Sequence, residues 1–203
     1  MGEIVVACDG RGWATRCRFT GSGALLEPET APVFAQRPVP EITVGFAPGK
    51  GDRPEWVVQK LTELGVDRIV PLATDRSVVV WRDDRAEKVA ERLRRVAREA
   101  AAQSRRSWLP EVDDPSTLGA FVGDHDAKVP VALADREGEA PSLGLRAVAV
   151  GPEGGWSEAE RALGLRRVTL AEATLRSETA AVALGALLGA LRAGLVVAAE
   201  GAS

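Results

Sequence analysis

The sequence has little of what metal sites, disulfide frameworks and membrane spans are built from. Histidine occurs once, at His125 within Asp124-His125-Asp126, and cysteine twice, at Cys8 and Cys17. A lone histidine in a charged loop offers no ligand set for a metal. If Asp9-Gly10-Arg11-Gly12 turns a hairpin, Cys8 sits beside the turn and Cys17 about four residues further along its strand, too far for a disulfide. Both are expected to be reduced structural thiols of a cytoplasmic protein. The longest uncharged apolar run, Thr179 to Leu191, is shorter than the ~20 residues a bilayer needs and contains Gly185 and Gly189, so it reads as a buried helix. The opening Met1-Gly2-Glu3-Ile4 has no basic region followed by an apolar stretch, and a signal peptide is not expected. Nothing repeats at a fixed period, and no G-x-x-x-x-G-K-[ST] phosphate loop occurs.

Excess positive charge is missing too: 26 Lys and Arg stand against 29 Asp and Glu, a net charge of −3. That sum argues against general affinity for nucleic acid, where neutralising phosphates is the largest electrostatic contribution. The distribution argues the other way. Between residues 85 and 106, Arg85, Lys88, Arg92, Arg94, Arg95, Arg98, Arg105 and Arg106 face Glu87, Glu91 and Glu99, a net +5. Most of this segment reads as a solvated helix face supported by pairs one turn apart. Arg105 and Arg106, at the end of that helix, are the nucleic-acid candidates.

A chain of 203 residues with 45% apolar and 27% charged residues can bury one large core, with room for a small appendage. Residues 4–8 and 13–19 are rich in β-formers around the Asp-Gly-Arg-Gly turn, and 24–27 offers a further strand. From Pro28 to Pro40 proline is frequent and periodicity absent, which marks a linker. From residue 41 onward strands and helices alternate. Strands are expected at 42–47, 68–73, 129–134, 147–150 and 168–170. Asp52 and Pro54 open a helix that Gly65 closes, a long helix covers 84–107, and Ser157 with Glu160 forms the capping box of a short one that Gly164 ends. The last helix covers 178–193 and is apolar or small on nearly all sides, so it must be covered by the sheet and by further contacts. Strands separated by helices predict an α/β fold with a parallel sheet clothed on both faces.

Two bends near the C-terminus carry the most specific signal. Gly151-Pro152-Glu153-Gly154-Gly155-Trp156-Ser157-Glu158-Ala159-Glu160 and Leu175-Arg176-Ser177-Glu178-Thr179-Ala180 each join an apolar run to a polar or Gly-rich bend and then to a helix. Bare backbone at strand ends is where an α/β protein holds a ligand. Taken alone, the first bend could equally be a tight turn. It belongs, however, to an ordered set: Lys50-Gly51-Asp52-Arg53, Gln59-Lys60-Leu61-Thr62-Glu63-Leu64-Gly65-Val66, Ile69-Val70-Pro71-Leu72, Arg76-Ser77, Glu99-Ala100-Ala101-Ala102-Gln103-Ser104, and Arg106 with Pro110-Glu111-Val112. Together these segments, over about residues 42 to 195, resemble the RsmE family of SPOUT-class methyltransferases.

The resemblance implies a C-terminal trefoil knot, a homodimer, S-adenosylmethionine as cofactor, and methylation of uridine N3 in bacterial 16S ribosomal RNA. It divides the chain into a PUA-like β unit with linker (1–40), shortened at its start, and a SPOUT domain (41–203). It implies that Gly151, Glu153, Gly154, Gly155, Leu170, Ala171, Leu175 and Thr179 meet the cofactor. Arg176 and Glu178 are the catalytic candidates, one to stabilise the developing uracil anion or a phosphate, the other as base or as orienter of Arg176; a helix-start ion pair is the plainer alternative. Lys50 and Gln103, with Arg105 and Arg106, are expected to face RNA. The chain departs from the family pattern at Ala171 and Arg105, where glycine is expected, and at Ala173, where a longer residue is common. A methyl group at residue 171 is expected to strain a positive φ or crowd the adenine. Two rivals are a non-catalytic RNA-binding module of the same fold and a nucleotide- or phosphate-binding hydrolase using Pro48-Gly49-Lys50-Gly51.

Overall fold

The computed structural model describes residues 2–21, 25–81, 83–125 and 129–197. Strands β1 (Ile4–Cys8) and β2 (Trp13–Phe19) form the expected antiparallel hairpin. Its turn is fixed by the Asp9 carboxylate, which accepts from the backbone N–H of Arg11 at 2.7 Å and of Trp13 at 3.1 Å. Cys8 pairs with Ala14 and Cys17 with Val5, so the thiols are separated along the ladder and both are free. β3 (Leu26–Pro28) adds to β2, and so does β4 (Val33–Phe34). β4 corrects the reading of 28–40 as plain linker. Two residues are too few to show a period, and the strand is held by aromatic contacts: Phe34 lies 5.1 Å from the Trp13 ring and 5.9 Å from the Trp108 ring, centroid to centroid.

The second sheet contains β5 (Thr43–Phe46), β6 (Arg68–Ala73), β7 (Glu111–Val112), β8 (Ser116–Thr117), β9 (Val131–Glu139), β10 (Ala147–Val150) and β11 (Arg166–Val168). Its order is β11-β9-β10-β5-β6-β7, with β8 also on β6, and every pairing is parallel. Alternation along the strands divides the core in two. Val44, Phe46, Ile69, Val148 and Val150 point to a face covered by α1 (Arg53–Glu63), α2 (Asp83–Gln103) and α5 (Ser177–Arg192). Val70, Leu72, Leu133, Ala147 and Ala149 point to the other, covered by α3 (Leu118–Gly123) and Trp156. The helix α4 (Glu158–Arg161) has the expected capping box, with both reciprocal hydrogen bonds. No helix among the described residues is long and apolar enough to cross a membrane.

The helix α2 ends at Gln103, four residues before the expected boundary. Arg105 N donates to Ala102 O and Arg106 N to Ala101 O, a paired closure that requires a left-handed residue, and Arg105 supplies it at φ 58°. Arg105 is the one non-glycine residue with positive φ among the described residues. The strain expected at Ala171 is therefore absent there and sits at Arg105.

A buried carboxylate fastens the far end of the fold. Asp67, 2% exposed, accepts from Ile42 N at 2.9 Å and from Arg192 Nη1, and lies 3.5 Å from Arg106 Nη2. Arg192 also donates to Pro40 O and Gly65 O, and Arg106 to Thr62 O at 2.7 Å and Val66 O at 2.8 Å. Burial lowers the Arg106 pKa from its ordinary value, against the opposing pull of Asp67. The ends of α5 and α2, the entry to β5 and the α1–β6 turn thus meet at one charge.

Asp67→Ala should cost about 3–5 kcal/mol in chemical denaturation, because two guanidiniums lose their buried counter-charge. Arg105→Gly should do the reverse, raising stability by roughly 1 kcal/mol through relief of the left-handed penalty, and a thermal melt reads it directly.

Candidate active site

The carboxyl ends of β9, β10 and β11 point the same way, and the bends that follow them meet. A cavity of about 220 Å³ is lined by Gly151, Pro152, Glu153, Gly155 and Trp156 from the bend after β10. Leu170, Ala171, Ala173, Thr174 and Leu175 from the bend after β11, Ser177 and Ala180 of α5, Ala134, Asp135 and Arg136 from β9, Val150 of β10 and Arg161 of α4 line the rest. Each bend is held from outside. Trp156 is buried and its indole N–H donates to Ala134 O at 3.0 Å. A Cβ on Gly151 would come within 3.0 Å of that ring, so any larger residue requires the indole to shift by a few tenths of an ångström. The Gly154 carbonyl accepts from Arg76 Nη1 at 2.9 Å, and the Glu160 carboxylate accepts from Asp75 N at 3.0 Å. The Arg76-Ser77 segment thereby acquires a role: it pins the glycine bend to the end of β6. The second bend is anchored where Ser177 Oγ donates to Ala47 O at 3.1 Å.

Six of the residues expected at the cofactor line this cavity: Gly151, Glu153, Gly155, Leu170, Ala171 and Leu175. Gly154 and Thr179 do not; the first has its carbonyl turned to Arg76 and the second is exposed on the first turn of α5. Arg176 is the exposed N-cap residue of α5, and Glu178, two residues on in the first turn, is partly buried. Neither lines the cavity; both adjoin its Leu175–Ser177 wall. One Glu178 oxygen lies 3.5 Å from Arg53 Nη1, while Oε2 is buried without a hydrogen-bond partner. The same Arg53 nitrogen is 3.6 Å from Glu153 Oε1. Arg53 therefore stands between the two bends, each of which offers it a carboxylate.

The sequence pattern includes Arg53 in the Lys50–Arg53 segment but assigns it no role of its own. It also gives no role to Asp135 and Arg136, although they directly follow the strand expected at 129–134, where ligand-binding residues of a parallel sheet gather; β9 itself runs on to Glu139. Asp135 pairs with Arg161 at 2.7 Å, and both line this cavity and a second hollow that also shares Arg136, Leu170 and Ala171 with it. Among the RNA candidates, Lys50 lines a separate cavity beside α2, and Gln103 and Arg105 are exposed at the end of that helix. Arg106 must be withdrawn as an RNA contact. Its guanidinium is committed to Thr62, Val66 and Asp67 inside the protein, where burial outweighs what exposure to phosphate would offer.

An apolar cleft walled by bare backbone, opening onto paired charges, fits a nucleoside joined to an amino-acid zwitterion. Such a cleft at the carboxyl edge of a parallel sheet defines a nucleotide-type cofactor protein, and the comparisons give its family. A family model for RNA methyltransferase domains matches residues 35–189, and the chain belongs to that family. Ribosomal RNA small subunit methyltransferase E of Synechocystis is 32% identical over 209 aligned residues, covering 94% of this chain and 67% of that protein. The protein of the same name from Mycobacterium bovis is 33% identical over 204, covering 92% and 78%. Among solved structures, ribosomal RNA small subunit methyltransferase E from Neisseria gonorrhoeae, bound to S-adenosylmethionine, superposes with a TM-score of 0.78. It is 28% identical, and the match covers 94% of this chain and 84% of that one. Membership of this family overturns the hydrolase reading of Pro48-Gly49-Lys50-Gly51.

Gly151→Ala should push the Trp156 ring aside and weaken S-adenosylmethionine binding about tenfold by calorimetry, with the fold retained; affinity equal to the parent would remove this bend from the binding site.

Proposed function

We propose that this protein transfers a methyl group from S-adenosylmethionine to N3 of a uridine in bacterial 16S ribosomal RNA. The observation that carries the reading is the meeting of the two backbone bends around one cavity, beside a buried carboxylate oxygen with no partner. The cofactor brings a sulfonium-activated methyl group, so the protein has to orient the acceptor and manage one proton. Gly151, Gly155, Leu170 and Leu175 offer backbone and apolar surface to the adenosine. Asp135, Arg136 and Arg161 offer opposite charges to the amino-acid end.

Uracil N3–H is a weak acid and a poor nucleophile while protonated. Glu178 would accept that proton through its unpartnered oxygen as the N–C bond forms and the methyl carbon–sulfur bond breaks, the electron pair staying on sulfur in a neutral thioether leaving group. Arg176, exposed and adjacent, faces the negative charge that develops on O2 or O4. Arg53 holds Glu178 and Glu153 in fixed relation, keeping acceptor and donor in line. The N3 edge is hidden in a base pair, so the target uridine is single-stranded or splayed out.

The trefoil crossing of the C-terminal segment, cytoplasmic location and homodimerisation belong to the same reading. The α5 face carrying Val182, Ala183, Ala186 and Leu187 is apolar and only partly covered, which supports a second copy against it. Lys50, Gln103 and Arg105 remain RNA-facing candidates. The non-catalytic alternative rested on Ala171, whose backbone is not in the left-handed region.

The test is incubation of the purified protein with isotopically labelled S-adenosylmethionine and small ribosomal subunits lacking the modification, followed by mass mapping of the RNA. Label on N3 of one uridine supports the reading; label on a ribose, or none, overturns it. In this assay Arg176→Ala should lower turnover by about 100-fold while leaving cofactor affinity within about twofold; undiminished turnover would take Arg176 out of the site.

A further inference from the structure

A cavity of about 410 Å³ on the α2 side of the sheet is lined by Lys50, Arg85, Lys88, Arg92 and Trp81, and among the described residues by no acidic side chain. Its size suits a ligand of nucleotide dimensions. The segment before α2 alternates: Val78 and Val80 are exposed, while Val79 and Trp81 turn inward, where both line the cavity. Along α2, Arg85, Lys88, Arg92 and Arg95 recur at steps of three and four, so they share one helical face. Lys88, Arg92 and Arg95 also line the neighbouring surface hollow, together with Arg94, Arg98 and one acid, Glu91, and this continues the stripe away from Trp81 with five cations to one carboxylate. Among the described residues, Arg92 pairs with Glu55, whereas Arg85, Lys88 and Arg95 make no ion pair or side-chain hydrogen bond. A solvated helix face would be expected to alternate its charges. This one sets Arg85 and Lys88, neither with an ion-pair partner among the described residues, in one cavity with an aromatic ring, and Gly51 on its wall is two residues from Arg53 at the proposed transfer site.

We propose that this face is a single-stranded RNA track: Arg85, Lys88 and Arg95 neutralise successive phosphates, and Trp81 stacks a base flanking the target. The assignment of the ligand as RNA rests on the proposed function; the cationic and aromatic geometry does not. Phosphate neutralisation predicts a steep salt dependence, and stacking predicts a preference for unpaired bases.

The experiment measures binding of the full chain to a labelled single-stranded RNA of roughly 12 nucleotides, against a duplex of the same sequence, over a series of salt concentrations. Arg85→Gln/Lys88→Gln/Arg95→Gln should weaken binding and reduce the slope of log affinity against log salt by about 2, from about 0.7 per lost phosphate contact. S-adenosylmethionine affinity should be unchanged by calorimetry. Trp81→Leu, which keeps apolar packing, should cost about tenfold in single-strand affinity and leave the slope alone. An unchanged slope in the triple variant, or a parent protein that binds duplex as well as single strand, overturns the inference. If the variants lose RNA as expected while the parent transfers no methyl group, the track stands and the methyltransferase reading falls.

Discussion

The site depends on α5 being fastened to β5 at both ends. Ser177 Oγ reaches Ala47 O beyond one end of the strand, and Arg192 reaches Pro40 O and the Asp67 carboxylate at the other. Asp67 itself holds Ile42, where the chain enters β5. Between these anchors α5 lies close against α1: a Cβ on Gly185 would come within 2.7 Å of Leu61 Cδ2, and one on Gly189 within 2.6 Å of Leu64 O. A helix so held cannot slide along its axis without exposing a buried charge. The bend leading into it, Leu170 to Ser177, is thereby fixed where it meets the glycine bend.

The site itself is made mainly of backbone, and its precision comes from neighbours that hold the backbone in place. The glycine bend is fastened by Arg76 on one side and Trp156 on the other, and the α4 capping carboxylate extends a second oxygen to Asp75. Charge enters through Arg53, whose nearness to Glu153 and Glu178 links the donor cavity to the acceptor side. Because Arg53 sits two residues after Gly51, the same turn that begins α1 also walls the cationic cavity beside α2. The proposed cofactor, base and RNA surfaces thus converge on one loop.

Much of this could be read from the residues. The apolar runs at 68–73 and 147–150 are strands with those bounds, and the Ser157–Glu160 capping box is present with both of its hydrogen bonds. The two bends that meet at the cavity were legible because glycines, a capping motif and strand ends coincide there. The strands β4, β7 and β8 were not legible, since two residues carry no period, and α3 is too short to display one. The two arginines ending α2 look alike in sequence. Their fates differ because closing the helix turns Arg105 outward at positive φ and sends Arg106 toward Asp67, and Asp67 lies 39 residues upstream. Arg53 was overlooked for a related reason: its partners, Glu153 and Glu178, are about a hundred residues or more away in the chain.

A crystal structure of the protein grown with S-adenosylmethionine tests the central claim most directly. The account predicts the adenosine between residues 151–156 and 170–175, with the amino-acid end toward Asp135 and Arg161 and the methyl group directed toward Glu178. Cofactor bound elsewhere on the chain, or density in the cleft with the methyl group facing away from Glu178, would contradict it.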